Sequence, residues 1–280
     1  MIPSSFEYQR AASVQEALSL LGEDAQLLAG GHSLIPAMKL RLNQPGTLVD
    51  ISRIEALKQI SESEQHLVIG AAATHGQIAA SALVQQHCGF LAAGAGEIGD
   101  IQVRNKGTIG GSLAHADPAA DWPGLLIAAG AEIEMVGSGG SRKLKAEDFF
   151  QGFFETALAE GEIITAVHVP KMHADQRASY EKFAQPASRY AIVGVAVVLT
   201  FYDGSIREAR VGVNGLADCA YLDTAVIAAL ENQKANADTA TAAAQKAGEG
   251  KNPMSDHYAS EKYRANLARV VTKRALNACL

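Results

Sequence analysis

Two glycine pairs constrain what this chain can fold into more than any other feature of its sequence. Residues 27–36 read LLAGGHSLIP, and residues 108–118 read TIGGSLAHADP. In each passage a short apolar run, typical of a buried segment, leads into the two glycines. Glycine lacks a Cβ atom and accepts positive φ, so such a loop can turn its backbone N–H groups outward. We interpret both passages as places where something approaches the backbone closely.

Adjacent outward N–H groups form an anion nest, and two nests could grip the two phosphates of a dinucleotide cofactor. Ser33 follows the first glycine pair, and Thr108 and Ser112 flank the second, so hydroxyl groups are available in both passages. Neither passage fits G-x-G-x-x-G or the P-loop pattern. A second interpretation stays open, in which both pairs are only tight turns where helices pack closely.

The apolar periodicity of the N-terminal part predicts two units. The first, residues 1–55, has a helix in SVQEALSLLG and strands in QLLAGG and TLVDISRI, which makes it α/β. The second, residues 56–173, has strands in HLVIGA, AEIEMVG and EIITAVHVP that alternate with helical segments. This unit is therefore predicted to be α/β or α+β.

A third unit, residues 177–280, follows the polar stretch KMHADQRAS, which we expect to be a linker or exposed turn. Strands are predicted in YEKFA, AIVGVAVVLTF and IREARVGVNGL, and Asp203-Gly204 is a hairpin signal between the last two. Ala-rich helices complete the chain. The sequence thus predicts an α+β protein with a C-terminal antiparallel sheet and helices.

Composition excludes several classes of function. The net charge of −6, with no concentrated basic stretch, argues against nucleic-acid binding. No run reaches the roughly 18 apolar residues of a membrane span, and the N-terminus lacks the apolar region of a signal peptide. The three cysteines, Cys88, Cys219 and Cys279, are far apart and have no C-x-x-C spacing. We therefore expect a cytoplasmic chain without a metal site or disulfide framework.

Several polar residues near the second passage and beyond it are candidates for ligand contacts. Asp121 could accept a hydrogen bond from a ribose hydroxyl or a ring N–H, although helix capping is the alternative. Lys182 lies at the edge of a strand, where a solvated surface lysine is the common case. Tyr190 precedes a long apolar strand and is either a core residue or a partner for a flat ring.

The chain offers no persuasive catalytic group. Ser33, Ser112 and Cys88 each lack an evident His/Asp arrangement, and His32 is interpreted as a loop residue. The spacing of His115, Asp117 and Asp121 has no further ligand cluster to support a metal site. Lone histidines such as His66, His75 and His87 are expected to be surface or capping residues. We predict no catalytic side chain and no metal ligand in this chain.

Three passages together resemble the FAD-binding medium subunit of bacterial molybdenum hydroxylases: AGGHSLIPAMKLRL, GDIQVRNKGTIGGSLAHADPAADWP and the strand that starts YAIVGVAV. Carbon monoxide dehydrogenase and the nicotine-, nicotinate- and caffeine-type dehydrogenases are members, and xanthine dehydrogenase has the same flavin domain within a longer chain. The resemblance covers nearly all 280 residues. It implies the vanillyl-alcohol-oxidase-type (PCMH-type) FAD-binding fold, with two α/β subdomains followed by a C-terminal sheet-and-helix domain.

The resemblance also implies where the cofactor contacts lie, with FAD extended between the first two units. The matched pyrophosphate loops are Ala29, Gly30, Gly31, His32 and Ser33, and Thr108, Ile109, Gly110, Gly111 and Ser112. The other matched positions are Asp121, which contacts the cofactor, Ile164, which makes a main-chain contact, Lys182, near the flavin, and Ile101 and Tyr190, near the isoalloxazine. The cysteine-rich insertion that gives some relatives an extra iron–sulfur cluster is missing.

The function implied by the resemblance is electron transfer within a heterotrimer. A large partner chain with a molybdenum cofactor would oxidise a small substrate with water. A small partner chain with two 2Fe-2S clusters would pass the electrons to the FAD of this chain, and an external acceptor would receive them. The resemblance further implies a dimer of heterotrimers. This oxidoreductase subunit needs no general base of its own.

Two other functions stay open from the sequence. A free-standing flavin-dependent oxidase or reductase of the same fold would need its own substrate pocket beside the flavin. A non-catalytic binding or assembly protein would use the glycine pairs only as turns, and it would be colourless when purified.

Overall fold

A computed structural model describes residues 2–280 of the chain. The strands are β1 (Glu7–Arg10), β2 (Ala25–Leu28), β3 (Thr47–Asp50), β4 (Ile60–Glu62), β5 (His66–Gly70), β6 (Glu132–Gly137), β7 (Gly140–Lys145), β8 (Phe150–Gly152), β9 (Glu155–Thr156), β10 (Ile163–Pro170), β11 (Gln176–Ala184), β12 (Ala191–Tyr202), β13 (Ser205–Asn214) and β14 (Tyr221–Leu222). The helices are α1 (Val14–Leu20), α2 (Leu34–Lys39), α3 (His75–Ala80), α4 (Ala82–Gly96), α5 (Ile101–Arg104), α6 (Ile109–His115), α7 (Asp121–Ala129), α8 (Ala146–Phe149), α9 (Thr224–Leu230), α10 (Ala237–Ala244) and α11 (Glu261–Cys279), with a 3₁₀ turn at Glu55–Lys58.

The strands form three main sheets and one short hairpin of β8 and β9. The first sheet has the order β1-β3-β2 and is parallel. The second has the order β4-β5-β10-β6-β7 and the third the order β11-β12-β13-β14, and both are antiparallel. The predicted α+β class with a C-terminal antiparallel sheet is confirmed. We propose that the three sheets mark the units 1–55, 56–173 and 177–280.

Several helices and turns begin where short sequence motifs predict them. Thr74 and Gln77 form a capping box at the start of α3, in which each side chain accepts from the backbone of the other. The Asp203-Gly204 pair turns β12 into β13, with Tyr202 opposite Ser205. These elements depend on residues within one turn of each other, which is why their position can be read from the sequence.

The polar stretch before the third unit is a strand for part of its length, so the prediction of a linker was wrong there. β11 begins at Gln176 and pairs with β12 along its whole length. The residues of β12 from Ala191 to Leu199 are all buried. The backbone N–H and C=O groups of a buried central strand need partners on both edges of the strand. The backbone of a polar segment supplies these partners as well as that of an apolar segment, so the polar residues of β11 can pair with β12.

Helix α7 lies between the second and third sheets. Each of its residues from Asp121 to Ala128 is buried, because β12 and β13 cover one side and the second unit covers the other. A Cβ atom at Gly212 of β13 would overlap the carbonyl oxygen of Gly124 in this helix. The helix therefore touches the third sheet backbone to backbone.

Among residues 2–280, no helix combines the length and the apolar character that crossing a bilayer requires.

Gly212→Ala should lower the free energy of unfolding by about 1–3 kcal/mol, since the added methyl group must push α7 away from β13. The matched control is Gly89→Ala, an exposed position within α4 where a Cβ atom meets nothing within 4 Å. That change should be neutral or should stabilise by up to about 1 kcal/mol. Urea unfolding of both variants measures the difference. Equal midpoints would contradict the backbone contact.

Candidate functional site

The first glycine passage connects the end of β2 to the start of α2. Gly31 has φ of +72°, a left-handed conformation that an L side chain rarely adopts. None of the backbone N–H groups of residues 29–33 donates to a protein acceptor within the described range 2–280. Five consecutive amides in one short loop are thus left available as donors to an anion, and the anion nest stays a prediction for this passage.

The second passage is built differently, and the prediction that it is a loop was wrong. Thr108 caps α6, so that Ile109–Ser112 form its first turn. The amides here already have acceptors. Ile109 N donates to Ala73 O at 3.1 Å, Gly110 N to Ala71 O at 2.8 Å, Gly111 N to Thr108 Oγ1 at 3.1 Å, and Ser112 N to Thr108 O at 3.0 Å. An outward amide nest is therefore missing from residues 109–112.

The two glycines of this passage have separate roles. A Cβ atom at Gly110 would lie 2.6 Å from Ala71 Cβ and 2.8 Å from Ala71 O, so this glycine lets α6 begin against the end of β5. Gly111 is exposed, and a Cβ atom there would meet only Thr108 Oγ1. The second passage therefore offers a ligand the surface of Gly111 and the hydroxyl of Ser112.

The structure brings the two passages into contact. A Cβ atom at Gly30 would overlap the carbonyl oxygen of Lys106 and would lie 3.0 Å from Gly107 Cα. The backbone of the first loop thus packs directly on the segment that leads into Thr108. Only a glycine permits two main chains to approach this closely.

The side chain of Lys182 is buried, so it is not the solvated surface lysine that is common at the edge of a strand. Its ammonium group donates to Asp121 Oδ2 at 3.0 Å, Glu97 O at 2.9 Å and Arg189 O at 2.9 Å. The side chains of Lys182 and Asp121 are each 4% exposed. These three bonds use every N–H of the ammonium group. Sequence alone missed this because the three acceptors lie on three separate segments.

Asp121 is equally surrounded by protein. Tyr180 donates its hydroxyl to Asp121 Oδ1, and Lys182 pairs with Oδ2. Burial raises the pKa of the Asp121 carboxyl, while the Lys182 ammonium and the Tyr180 hydroxyl oppose this rise. Burial and the nearby carboxylate raise the pKa of Tyr180 well above its ordinary value, so it remains a donor. The network holds α7 to β11.

Tyr190 lies near the first loop. Burial raises the pKa of its phenol to about 12, Asp117 and Asp121 contribute to the rise, and the nearby side chain of Ser33 opposes it. The phenol is therefore neutral at pH 7. The residue is 41% exposed, so it lies at a rim and does not belong to the core.

The two predicted isoleucines lie in different settings. Ile101 is the first residue of α5 and is 66% exposed. Ile164 is buried in β10 beside a bulge between Ile164 and Ala166, and its side chain belongs to the core of the second unit. The side chain of Ile164 is therefore not free to reach a ligand, and a main-chain contact stays the prediction for this residue.

The sequence missed a buried aromatic pair. His75, expected at the surface or as a cap, is 5% exposed, and Trp122 is 0% exposed. Trp122 Nε1 donates to His75 Nδ1 at 3.0 Å. The capping residue Thr74 correctly predicts that a helix begins at His75. The local sequence does not indicate that the side chain of His75 is buried.

The residues present fit a bound diphosphate. The free amides of residues 29–33 supply donors, and Tyr190 of the third unit lies near Ser33 of the same loop. No group of three His, Cys, Asp or Glu side chains that could hold a metal occurs between residues 2 and 280.

Two family models together match nearly the whole chain. The model described as the FAD binding domain in molybdopterin dehydrogenase matches residues 4–172, and that of the CO dehydrogenase flavoprotein C-terminal domain matches residues 178–279. The chain belongs to the FAD-binding medium subunits of the molybdenum hydroxylases. The predicted family, the FAD cofactor and the assignment to oxidoreductase subunits are thereby confirmed.

Relatives of this family are similar to the chain over its full length. The carbon monoxide dehydrogenase medium chain of Hydrogenophaga pseudoflava is 38% identical over 99% of this chain and 98% of its own. The glyceraldehyde dehydrogenase medium chain of Sulfolobus acidocaldarius is 36% identical over 98% of each chain.

Solved structures agree with the sequence comparisons. A chain of the carbon monoxide dehydrogenase from Hydrogenophaga pseudoflava superposes with a TM-score of 0.97 at 40% identity, covering 100% of this chain and 98% of that one. A chain of quinoline 2-oxidoreductase from Pseudomonas putida 86 gives a TM-score of 0.94 at 32% identity, again covering 100% and 98%. The fold is thus that of the family's flavoprotein.

Lys182→Met should lower the free energy of unfolding by about 3–5 kcal/mol at neutral pH, because it leaves the Asp121 carboxylate buried without its cation. The loss should shrink as the pH falls, since a protonated Asp121 needs no partner. Lys171→Met is the matched control, because Lys171 pairs with the half-exposed Glu62 at 2.6 Å. That change should cost less than about 1 kcal/mol. Equal losses in urea unfolding would contradict the buried pair.

Proposed function

We propose that this chain is the electron-transfer flavoprotein of a heterotrimeric molybdenum hydroxylase. In this proposal a small partner chain with 2Fe-2S clusters delivers electrons to the FAD of this chain, and an external acceptor removes them. The observation that carries the proposal is the full-length similarity to proteins named medium chains, a name that implies a larger and a smaller companion. The large companion would contain the molybdenum cofactor and the substrate site.

The amides of residues 29–33 are proposed to bind the pyrophosphate of FAD. Bound FAD supplies the capacity to take up electrons singly and to release them in pairs. The left-handed Gly31 sets the direction of these amides, and Gly30 fixes the loop against Lys106 and Gly107. The proposed contact residues are Ala29, Gly30, Gly31, His32, Ser33, Ile101, Thr108, Ile109, Gly110, Gly111, Ser112, Asp121, Ile164, Lys182 and Tyr190.

The proposed contacts are not equivalent. Lys182 and Asp121 satisfy each other, so they support the cofactor region by joining α7 to β11. Residues 109 and 110 of the second passage have their amides bonded within the protein and support α6 in the same way. In this proposal the backbone amides of the first loop donate hydrogen bonds to the pyrophosphate. The exposed side chains of Tyr190 and Ile101 border the flavin ring.

The assembly around this chain is part of the proposal. We propose a dimer of heterotrimers in the cytoplasm, where the free cysteines Cys88, Cys219 and Cys279 would stay reduced. The external acceptor is a quinone, a cytochrome, NAD or oxygen. The alternative is a free-standing flavin-dependent oxidase or reductase of the same fold.

Gly31→Val should abolish FAD retention, because valine at φ of +72° forces the loop to change and turns its amides away. Gly161→Val is the matched control, since Gly161 has φ of +74° and a Cβ atom there meets nothing within 4 Å. Both changes impose similar backbone strain, but only the first lies in the loop. Visible absorbance per chain after gel filtration measures the bound flavin. Full flavin content in Gly31→Val would contradict the loop assignment.

Purification of the native complex from its host should yield this chain together with one larger and one smaller chain. The complex should contain molybdenum and iron, and this chain alone should contain only flavin. Mass spectrometry of the intact complex and metal analysis measure both. A purified single chain that oxidises small substrates without partners would instead favour the free-standing enzyme.

A further inference from the structure

The buried pair of His75 and Trp122 lies against the cofactor region, yet none of the contacts proposed above uses it. The ring centroids are 6.1 Å apart with an interplanar angle of 42°. The indole N–H can only donate, so His75 Nδ1 must accept the 3.0 Å bond. A neutral His75 ring therefore has its proton on Nε2. Protonation of Nδ1 would put two donors face to face and break this bond.

The other side of the ring supports Gly107. A Cβ atom at Gly107 would lie 2.6 Å from His75 Nε2 and 2.9 Å from Cδ2. The backbone N–H of His75 also donates to Gly107 O at 3.0 Å. Gly30 also packs on this glycine, since a Cβ atom at Gly30 would lie 3.0 Å from Gly107 Cα. Gly107 thus contacts both the imidazole ring and the first loop.

We infer that His75 is a positioning residue for FAD, and that its proton uptake releases the cofactor. Trp122 holds the neutral ring, the ring holds Gly107, and Gly107 supports Gly30 and the free amides that follow it. A ring that loses its bond to Trp122 no longer fixes Gly107, and the amides of residues 29–33 then lose their common direction. This inference rests on the proposed role of that loop.

The charges around the ring favour its neutral form at pH 7. Burial is the main cause that lowers the pKa of His75 to about 4, and electrostatic interactions with His32 and Arg104 contribute to this shift. Within the described part of the chain these are the titratable or charged groups that act on it, while Asp100 interacts with both of them. Proton uptake by the ring is therefore confined to acidic solution.

The fluorescence of the protein reports on this pair directly, because Trp122 is the only tryptophan. The FAD-free chain, titrated from neutral pH downward, should show a change in tryptophan emission with a midpoint near pH 4. In the loaded chain, a His75 pKa that is one unit lower with FAD bound should weaken FAD binding by about twofold between pH 6 and pH 4, and FAD should dissociate correspondingly faster.

Two variants of His75 distinguish protonation of its ring from unfolding of the whole protein in acid. His75→Asn keeps an acceptor at the position of Nδ1 but does not titrate. It should retain FAD at neutral pH, and both its tryptophan emission and its FAD release should lose their dependence on pH. His75→Leu removes the acceptor and should release FAD about tenfold faster at pH 7, with emission that also no longer titrates. Urea unfolding at pH 7 establishes that each variant folds.

Each outcome decides the inference. If His75→Asn releases FAD in acid as steeply as the native chain, or if its emission still titrates, the inference is overturned. If the emission titrates in the native chain but FAD release does not follow, His75 binds Trp122 without positioning the cofactor. Failure of the loop assignment itself would appear elsewhere, as full flavin content in Gly31→Val.

Discussion

The structure depends on one contact between two main chains, that of Gly30 with Lys106 and Gly107. It brings a loop of the parallel first sheet onto the segment that starts α6 in the second unit. Because Gly30 has no Cβ atom and meets only main-chain atoms of Lys106 and Gly107, the distance between the two passages is set by backbone atoms, which cannot rearrange as side chains do. Next to this contact, Gly31 takes a positive φ, so the chain turns within residues 29–33.

The third unit reaches the same region through buried polar groups. Lys182 connects Asp121, Glu97 and Arg189, which lie on α7, at the end of α4 and before β12. A buried ammonium group is tolerated because all three of its protons are bonded and a carboxylate lies beside it. The apolar faces of the sheets supply most of the stability, and this network fixes how the third sheet is oriented on the second unit.

The elements that could be predicted from the sequence are those determined by residues close together along the chain. The capping box at Thr74, the hairpin at Asp203 and the first glycine loop all follow from residues a few positions apart. The family could be identified as well, since its motifs are contiguous. The burial of Lys182 could not be predicted, because its partners lie 85, 61 and 7 positions away along the chain.

The second glycine passage shows a subtler limit of sequence reasoning. Thr108 followed by two glycines is compatible with a loop and with a capped helix, and the acceptors at Ala71 and Ala73 decide between them. The pairing of His75 with Trp122 likewise needs a contact between residues 47 positions apart. Where two segments meet, the local pattern allows several structures, and tertiary contacts select one of them.

The enclosure of α7 has a consequence for how such a protein can be regulated. With both sides covered and backbone contact at Gly124 and Gly212, the helix joins the second and third sheets through main-chain atoms. Any redox centre seated beside it would keep a constant separation from its neighbours throughout turnover. Control of electron flow would then come from the supply of reductant and oxidant, and shape changes within this chain would contribute little.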